Sequence, residues 1–219
     1  MLEYSHSVWR WLRRDTWRIA FLFVGILLPL IFFGKLADEV HEGATLSWDE
    51  AILYSIHHNA TPQLDWLIIN AERTGGFLTL PFLLVVVFAL RFLQRARNAA
   101  FFALCVGGAY ALNVLAKLVF QRERPALWTS PLPETNYSFP SGHAMISMAI
   151  AVAFIELSWR TKWRWPVVLL GIGSTLAIGF SRLYLGVHYP SDVLGGWSAG
   201  LLWACGLYLL LKRDFGCER

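Results

Sequence analysis

The sequence predicts an all-α polytopic membrane protein, with six transmembrane helices and a short amphipathic helix in the first outer loop, in a single domain over residues 1–219. Two observations carry this expectation. Of the 219 residues, 56% are hydrophobic and 16% charged, with a mean hydropathy of +0.48, whereas soluble domains run nearer 45–50% apolar and about 25% charged. Apolar runs approaching the roughly 20 residues that a bilayer requires recur six times between charges or helix breakers. The same composition excludes disorder, a disulfide-stapled secreted module and a large extramembrane domain.

The first span is expected from Trp17 to Ala37. Arginines precede it as in a secretory signal, but no small-x-small cleavage site follows and the run is long enough to cross, so a retained helix is expected. Asp38 to Gly76 is the longest polar stretch, and within it Ser47-Trp48-Asp49-Glu50 ahead of Ala51-Ile52-Leu53 has the form of a capped amphipathic helix start lying on the membrane surface. Further spans are expected at Phe77–Phe92, Asn98–Phe120, Gly142–Trp159, Trp165–Arg182 and Pro190–Leu211. In the last, Gly196-x3-Gly200 permits close helix packing. Trp9, Trp11, Trp17, Trp159, Trp163 and Trp165 would form the cytoplasmic aromatic belt. Glu156, flanked by apolar residues, is read as snorkelling to that interface. His6, His41, His57 and His58 lie in polar segments and are read as solvated, with lining of the outer mouth the alternative for His57 and His58. The chain has no internal repeat or interdomain linker.

Charge sets the expected orientation. The N-terminal arginines, the loops holding Arg91 to Arg97 and Arg160 to Arg164, and the tail with Lys212, Arg213 and Arg219 carry thirteen of the 19 Lys and Arg. The opposite side holds Lys35, Arg73, Lys117, Arg122, Arg124 and Arg182. The positive-inside rule therefore puts both termini in the cytoplasm. Cys105, Cys205 and Cys217 are scattered without CxxC or Cys/His spacing, which supports neither a zinc site nor a disulfide framework. No basic run resembles a nucleic-acid patch.

Three groups at the outward helix ends carry chemistry. In Lys117-x6-Arg124-Pro125 the seven-residue step is nearly two helical turns, so a persisting helix would point both cations the same way; a positively charged membrane edge is the simpler reading of the pair alone. Pro140-Ser141-Gly142-His143 precedes an apolar helix, where Ser141 can cap and free backbone N–H groups can bind an anion, although an ordinary capped helix needs no imidazole. Ser181-Arg182-x5-His188-x3-Asp192 places Asp192 in a first turn from which it can reach back to His188, fixing the tautomer and leaving the other nitrogen free, as it also would in a purely structural pair. Together the groups supply three cations, backbone donors and two histidines. That inventory suits phosphoryl transfer to a histidine, with Lys117, Arg124 and Arg182 neutralising the equatorial oxygens. No metal-binding carboxylate cluster accompanies them, and a metal-independent reaction is expected.

These three motifs, in this order and on one side of the membrane, resemble the signature of the type-2 phosphatidic acid phosphatase family. The resemblance extends over most of the chain. It implies a six-helix membrane phosphatase without a cofactor. On that resemblance His188 would attack phosphorus, Asp192 would orient it, and His143 would protonate the leaving oxygen and then activate water. Lys117, Arg124, Arg182, Ser141 and the Gly142 backbone N–H would hold the phosphoryl oxygens.

A lipid phosphate brings its phosphate to the outer interface while its tails stay in the bilayer, so a lipid is the expected substrate and partner. Similar bacterial members act on undecaprenyl pyrophosphate, phosphatidylglycerophosphate or phosphatidic acid. Undecaprenyl pyrophosphate ranks first, because recycling that carrier requires an outward site in the bacterial cytoplasmic membrane. Three rivals stay open at this point: a lipid phosphotransferase of the same family, a vanadium-dependent haloperoxidase, which the composition disfavours, and a non-catalytic lipid-phosphate binding protein, which the complete motifs disfavour.

Overall fold

The computed structural model describes residues 22–42 and 47–215, which form seven α-helices and no strand. The start of the expected first span, His6, the tryptophans up to Trp17, the N-terminal arginines, Cys217 and Arg219 lie outside the described residues. Helix α1 (Leu28–His41) follows a π-helical turn, Phe23–Leu27. The wider turn comes immediately before Pro29, whose ring would otherwise crowd the carbonyl four residues back. Helix α2 (Ser47–His58) forms where the sequence predicts a helix start, with Asp49 and Glu50 in the first turn, where the helix dipole favours them. It buries only Asp49 and Leu53, and packs against α6 and α7.

Helix α3 (Pro62–Phe92) corrects the expected second span, which was to begin at Phe77. Thr61 caps it by accepting a bond from the Leu64 N–H, and Pro62 takes the first position, where its missing N–H costs nothing. The two halves, Pro62–Gly76 and Leu78–Phe92, bend by 47°. Gly75 and Gly76 soften the helix there, and Pro81 leaves the Phe77 carbonyl without its usual donor, so the sequence bends the helix where the reading ended it.

The remaining helices are α4 (Ala96–Phe120), α5 (Gly142–Ser158), α6 (Arg164–Tyr184) and α7 (Pro190–Phe215). By length and apolarity α4, α6 and α7 can each cross a membrane, as can the two halves of α3 if they count as one bent span. Helix α5 has 17 residues, about 25 Å of rise against a hydrocarbon core of about 30 Å. It sits at the centre of the packing, against α4, α6 and α7. Phe102, Cys105 and Ala109 of α4, Met145, Ala149 and Ala153 of α5, and Ala204 and Cys205 of α7 form one buried core. Small residues allow the close approach. A methyl group on Gly196 would lie 2.6 Å from the Ser141 carbonyl oxygen, and one on Gly200 would run into the Met145 carbonyl. Outward-facing Phe88, Leu169, Leu170 and Leu210 are all more than two-thirds exposed, an apolar surface suited to lipid rather than water.

Candidate active site

Four helix ends and one long connection build the site. Helices α4 and α6 end at it with Lys117 and Arg182, while α5 and α7 begin at it with His143 and Asp192. Residues 121–141 run across this end and contribute Arg122, Arg124, Glu134 and Asn136, and α3 contributes Glu72.

The cations converge by a route the spacing did not predict. Gln121, at φ 46°, takes the left-handed conformation that stops α4, so Arg124 does not continue the helical face of Lys117. The connection folds back, and both cations reach the Asn136 side chain. Lys117 Nζ donates to Asn136 Oδ1 at 3.0 Å, and an Arg124 terminal nitrogen donates to the same oxygen. Arg124 also donates from Nε to the Asn136 carbonyl at 2.7 Å, to the Val187 carbonyl at 2.5 Å and to Glu134 Oε2 at 2.6 Å. Arg182, nearly wholly buried, pairs with the Glu72 carboxylate and lies 3.4 Å from Glu134 Oε1.

His188 is fully buried between a carboxylate and a guanidinium. Its Nδ1 lies 3.4 Å from Asp192 Oδ2, and its Nε2 lies 3.1 Å from Arg124 Nη1. Guanidinium only donates, so Nε2 is the acceptor and Nδ1 carries the proton toward Asp192. Burial pushes the His188 pKa down to about 4 despite the opposing pull of Asp192, and Arg124 adds to the depression. The imidazole is therefore neutral at physiological pH, with an unprotonated Nε2. His143 stands more open, its side chain 44% exposed, with Nε2 3.2 Å from Glu72 Oε1 and Nδ1 3.9 Å from Glu134 Oε1. Burial alone would raise the Glu134 pKa, but the surrounding histidines and guanidiniums outweigh it and hold the carboxyl below its usual value.

Ser141 corrects a further expectation. It occupies the position before α5, but its Oγ makes no capping bond and is buried without a partner. Its backbone is pinned instead: its N–H donates to the Asp192 carbonyl at 3.0 Å, and its carbonyl accepts from Met145 and packs on Gly196. Asn113 donates to the Pro140 carbonyl at 2.9 Å, and a side chain on Gly142 would meet Asn113 Oδ1 at 2.9 Å, so this segment is held against α4. His57 is exposed as expected, yet its ring stacks on Trp128 at 4.1 Å.

The sequence reading brought out Lys117, Arg124, Ser141, Gly142, His143, Arg182, His188 and Asp192, and all of them lie at this one end of the bundle. It missed Glu72, Glu134, Asn136, Asn113 and Asp49, and it counted Arg122 only as an outward charge. A lone carboxylate or amide, whether in a polar segment or, like Asn113, inside an apolar helix, carries no spacing signal. The arrangement can bind tetrahedral oxyanions, because Arg124 and Arg182 already hold the Glu134 and Glu72 carboxylates and Lys117 the Asn136 amide oxygen, beside the N-terminus of α5.

Comparison with known proteins places the chain in a family. Residues 98–215 match the PAP2 superfamily pattern. Phosphatidylglycerophosphatase B of Bacillus subtilis (strain 168) is 32% identical over 190 residues, covering 83% of this chain and 90% of that protein. An undecaprenyl-diphosphatase of Sulfolobus acidocaldarius is 32% identical over 149 residues, covering 66% of this chain and 69% of that one. Among solved structures, the transmembrane PAP2 type phosphatidylglycerolphosphate phosphatase of Bacillus subtilis superposes with a TM-score of 0.76 at 29% identity, covering 88% of this chain and 97% of the other. Aquifex aeolicus LpxE shares the fold at a TM-score of 0.60 and 24% identity, over 75% of this chain and 96% of its own. By its motifs, its fold and these relatives, the chain belongs to the PAP2 superfamily.

Proposed function

We propose that the chain is a membrane lipid phosphatase that hydrolyses a phosphate monoester or pyrophosphate of a lipid through a phosphohistidine on His188. The observation that carries this is the His188 geometry: a buried neutral imidazole with Nδ1 turned to Asp192 and Nε2 toward the cluster of cations. Nε2 forms the bond to phosphorus as the P–O bond to the lipid breaks. His143, the more open histidine, gives its proton to the departing lipid oxygen and then takes one from the water that cleaves the N–P bond, releasing phosphate. Lys117, Arg124 and Arg182, with Ser141 and the Gly142 N–H, hold the phosphoryl oxygens, in the role that metal ions take in other phosphoryl transfers. Substrate phosphate takes over donors that now serve Glu72, Glu134 and Asn136.

The whole chain acts as one domain of six spans: α1 with the π-helical turn before it, the bent α3, α4, the shortened α5, α6 and α7. Helix α2 lies on the outer surface as an amphipathic helix. Helices α4 and α6 end, and α5 and α7 begin, at the site, as an alternating up-and-down path requires. Both termini then face the cytoplasm, and the site opens on the outer face of the bacterial inner membrane.

Undecaprenyl pyrophosphate is the first candidate substrate, since a carrier lipid recycled outside the cell needs an outward site, and a relative of this chain is an undecaprenyl-diphosphatase. Phosphatidylglycerophosphate is the second reading. It is favoured by the greater share of the chain matched by phosphatidylglycerophosphatase B. The test is phosphate release by purified protein, with EDTA present, from these two lipids and phosphatidic acid in parallel. Release from at least one is expected. Phosphorylated lipid product without free phosphate would identify a transferase instead, and tight lipid binding with no turnover would identify a binding protein.

A further inference from the structure

We propose that Asp49 and Arg122 are positioning residues for the reaction, acting through Asp192 to hold and balance the charge behind His188. The inference rests on His188 being the nucleophile. Asp192 is fully buried and uses its two oxygens differently. Oδ2 faces His188 and accepts the Tyr189 N–H at 2.8 Å, while Oδ1 accepts from Arg122 Nη1 at 2.6 Å. Arg122 also donates from Nη1 to Ser191 Oγ at 2.7 Å and from Nη2 to Asp49 Oδ2 at 2.9 Å, and its guanidinium lies 4.3 Å from the Tyr189 ring centroid. Asp49, itself fully buried, takes the Ser191 N–H at 2.9 Å and the Ser191 hydroxyl at 2.5 Å.

The charges decide what this arrangement does. A guanidinium in contact with Asp192 draws the carboxylate's field away from His188, which needs that field when its ring becomes positive on phosphorylation. Asp49 on the other side of Arg122 restores the balance, leaving one net negative charge behind the imidazole. At these separations, in a buried setting, the interactions are strong. Arg122 is thus a two-armed clamp whose far arm is anchored on α2, and its planar fork is what lets it hold two carboxylates at once. Its partners are Asp49, Ser191, Asp192 and Tyr189, whereas Lys117, Arg124 and Arg182 face Asn136, Glu134 and Glu72. Asp49 and Arg122 therefore act on turnover and not on substrate affinity.

The experiment uses the full chain in detergent and phosphate release from whichever lipid the wild type cleaves, beside His188→Ala. An inactive wild type, or an active His188→Ala, would defeat the functional reading rather than this one. With that reading upheld, Asp49→Asn is expected to lower kcat about 10- to 100-fold, the range for partners that orient a reacting group, and to leave KM within about twofold. Asp49→Glu should recover part of the loss. In an Asp192→Asn background, Asp49→Asn should cost less than about threefold in single-turnover release, because its path to His188 is already cut. An equal loss in both backgrounds, or a raised KM with kcat intact, would overturn the proposal. If Asp49→Asn fails to elute as folded protein, Arg122→Lys carries the same cycle, keeping the charge while losing the fork.

Discussion

His188 owes its proposed role to what lies on each side of its ring. With Asp192 on Nδ1 and Arg124 on Nε2, the tautomer is fixed, and burial keeps the ring neutral down to a pKa of about 4. The sign of the shift makes a prediction. Because the folded pKa lies below the ordinary value of about 6.5, His188 Nε2, the proposed nucleophile, stays unprotonated as pH falls through about 6 and is protonated only near 4. Trapped phosphoenzyme should be as abundant at about pH 5.5 as at about pH 7; a fall to about a tenth would mean an ordinary imidazole. The same linkage sets stability: between about pH 6.5 and 4 the unfolded chain binds a proton that the native state refuses, so this residue's contribution falls as pH drops. The motif spacing made His188, Asp192 and the three cations legible. Glu134 and Asn136 were not legible, because a long connection with no periodic pattern folds them back onto Arg124, and nothing local to the sequence encodes that return.

Helix ends put these side chains in place, and small residues let the ends approach. Gly196 packs on the Ser141 carbonyl beside the α5 N-terminus, so Gly196→Ala should force α5 and α7 apart at the site. The expected cost is about 1–3 kcal/mol, read as a lower unfolding midpoint in detergent together with reduced turnover; an unchanged midpoint would mean that the contact yields freely. Gly186, at φ +67° and against Trp128, shapes the turn that presents His188 two residues later. Gly186→Val would be strained there by backbone and ring alike. Apolar runs foretold α4, α6 and α7 to within a few residues. They missed the first half of α3, which lies in a polar stretch, because the helix bends at Gly75-Gly76 ahead of Pro81 rather than starting there. They ended α4 at Phe120, where the structure ends it, so Lys117 and Arg124 do not share the one helical face that a persisting helix would have given them.

As a whole, the molecule is a bundle whose middle helix, α5, is short and buried and whose outer faces are apolar, as befits a membrane protein of the PAP2 superfamily. Charge bias predicts which end faces out. Thr129, in the connection across the site, and Thr161, between α5 and α6, are both exposed and lie at opposite ends of α5. In intact cells, Thr129→Cys should react with a membrane-impermeant maleimide and Thr161→Cys should not, relative to the unsubstituted protein; the reverse pattern would turn the site inward. Fold and family were legible because composition and three motifs act over the whole chain. The substrate was not, since the residues proposed to hold phosphate would meet only what every lipid phosphate shares.

The most direct test of the central claim is a quench of the purified protein during turnover of a lipid carrying labelled terminal phosphate. Label should be bound to protein, stable in alkali and released by acid, as an N–P bond requires, and His188→Ala should abolish it and lower phosphate release by at least about 10⁴-fold. Label that persists in His188→Ala, or phosphate release without any bound label in the wild type under single-turnover conditions, would contradict transfer through His188.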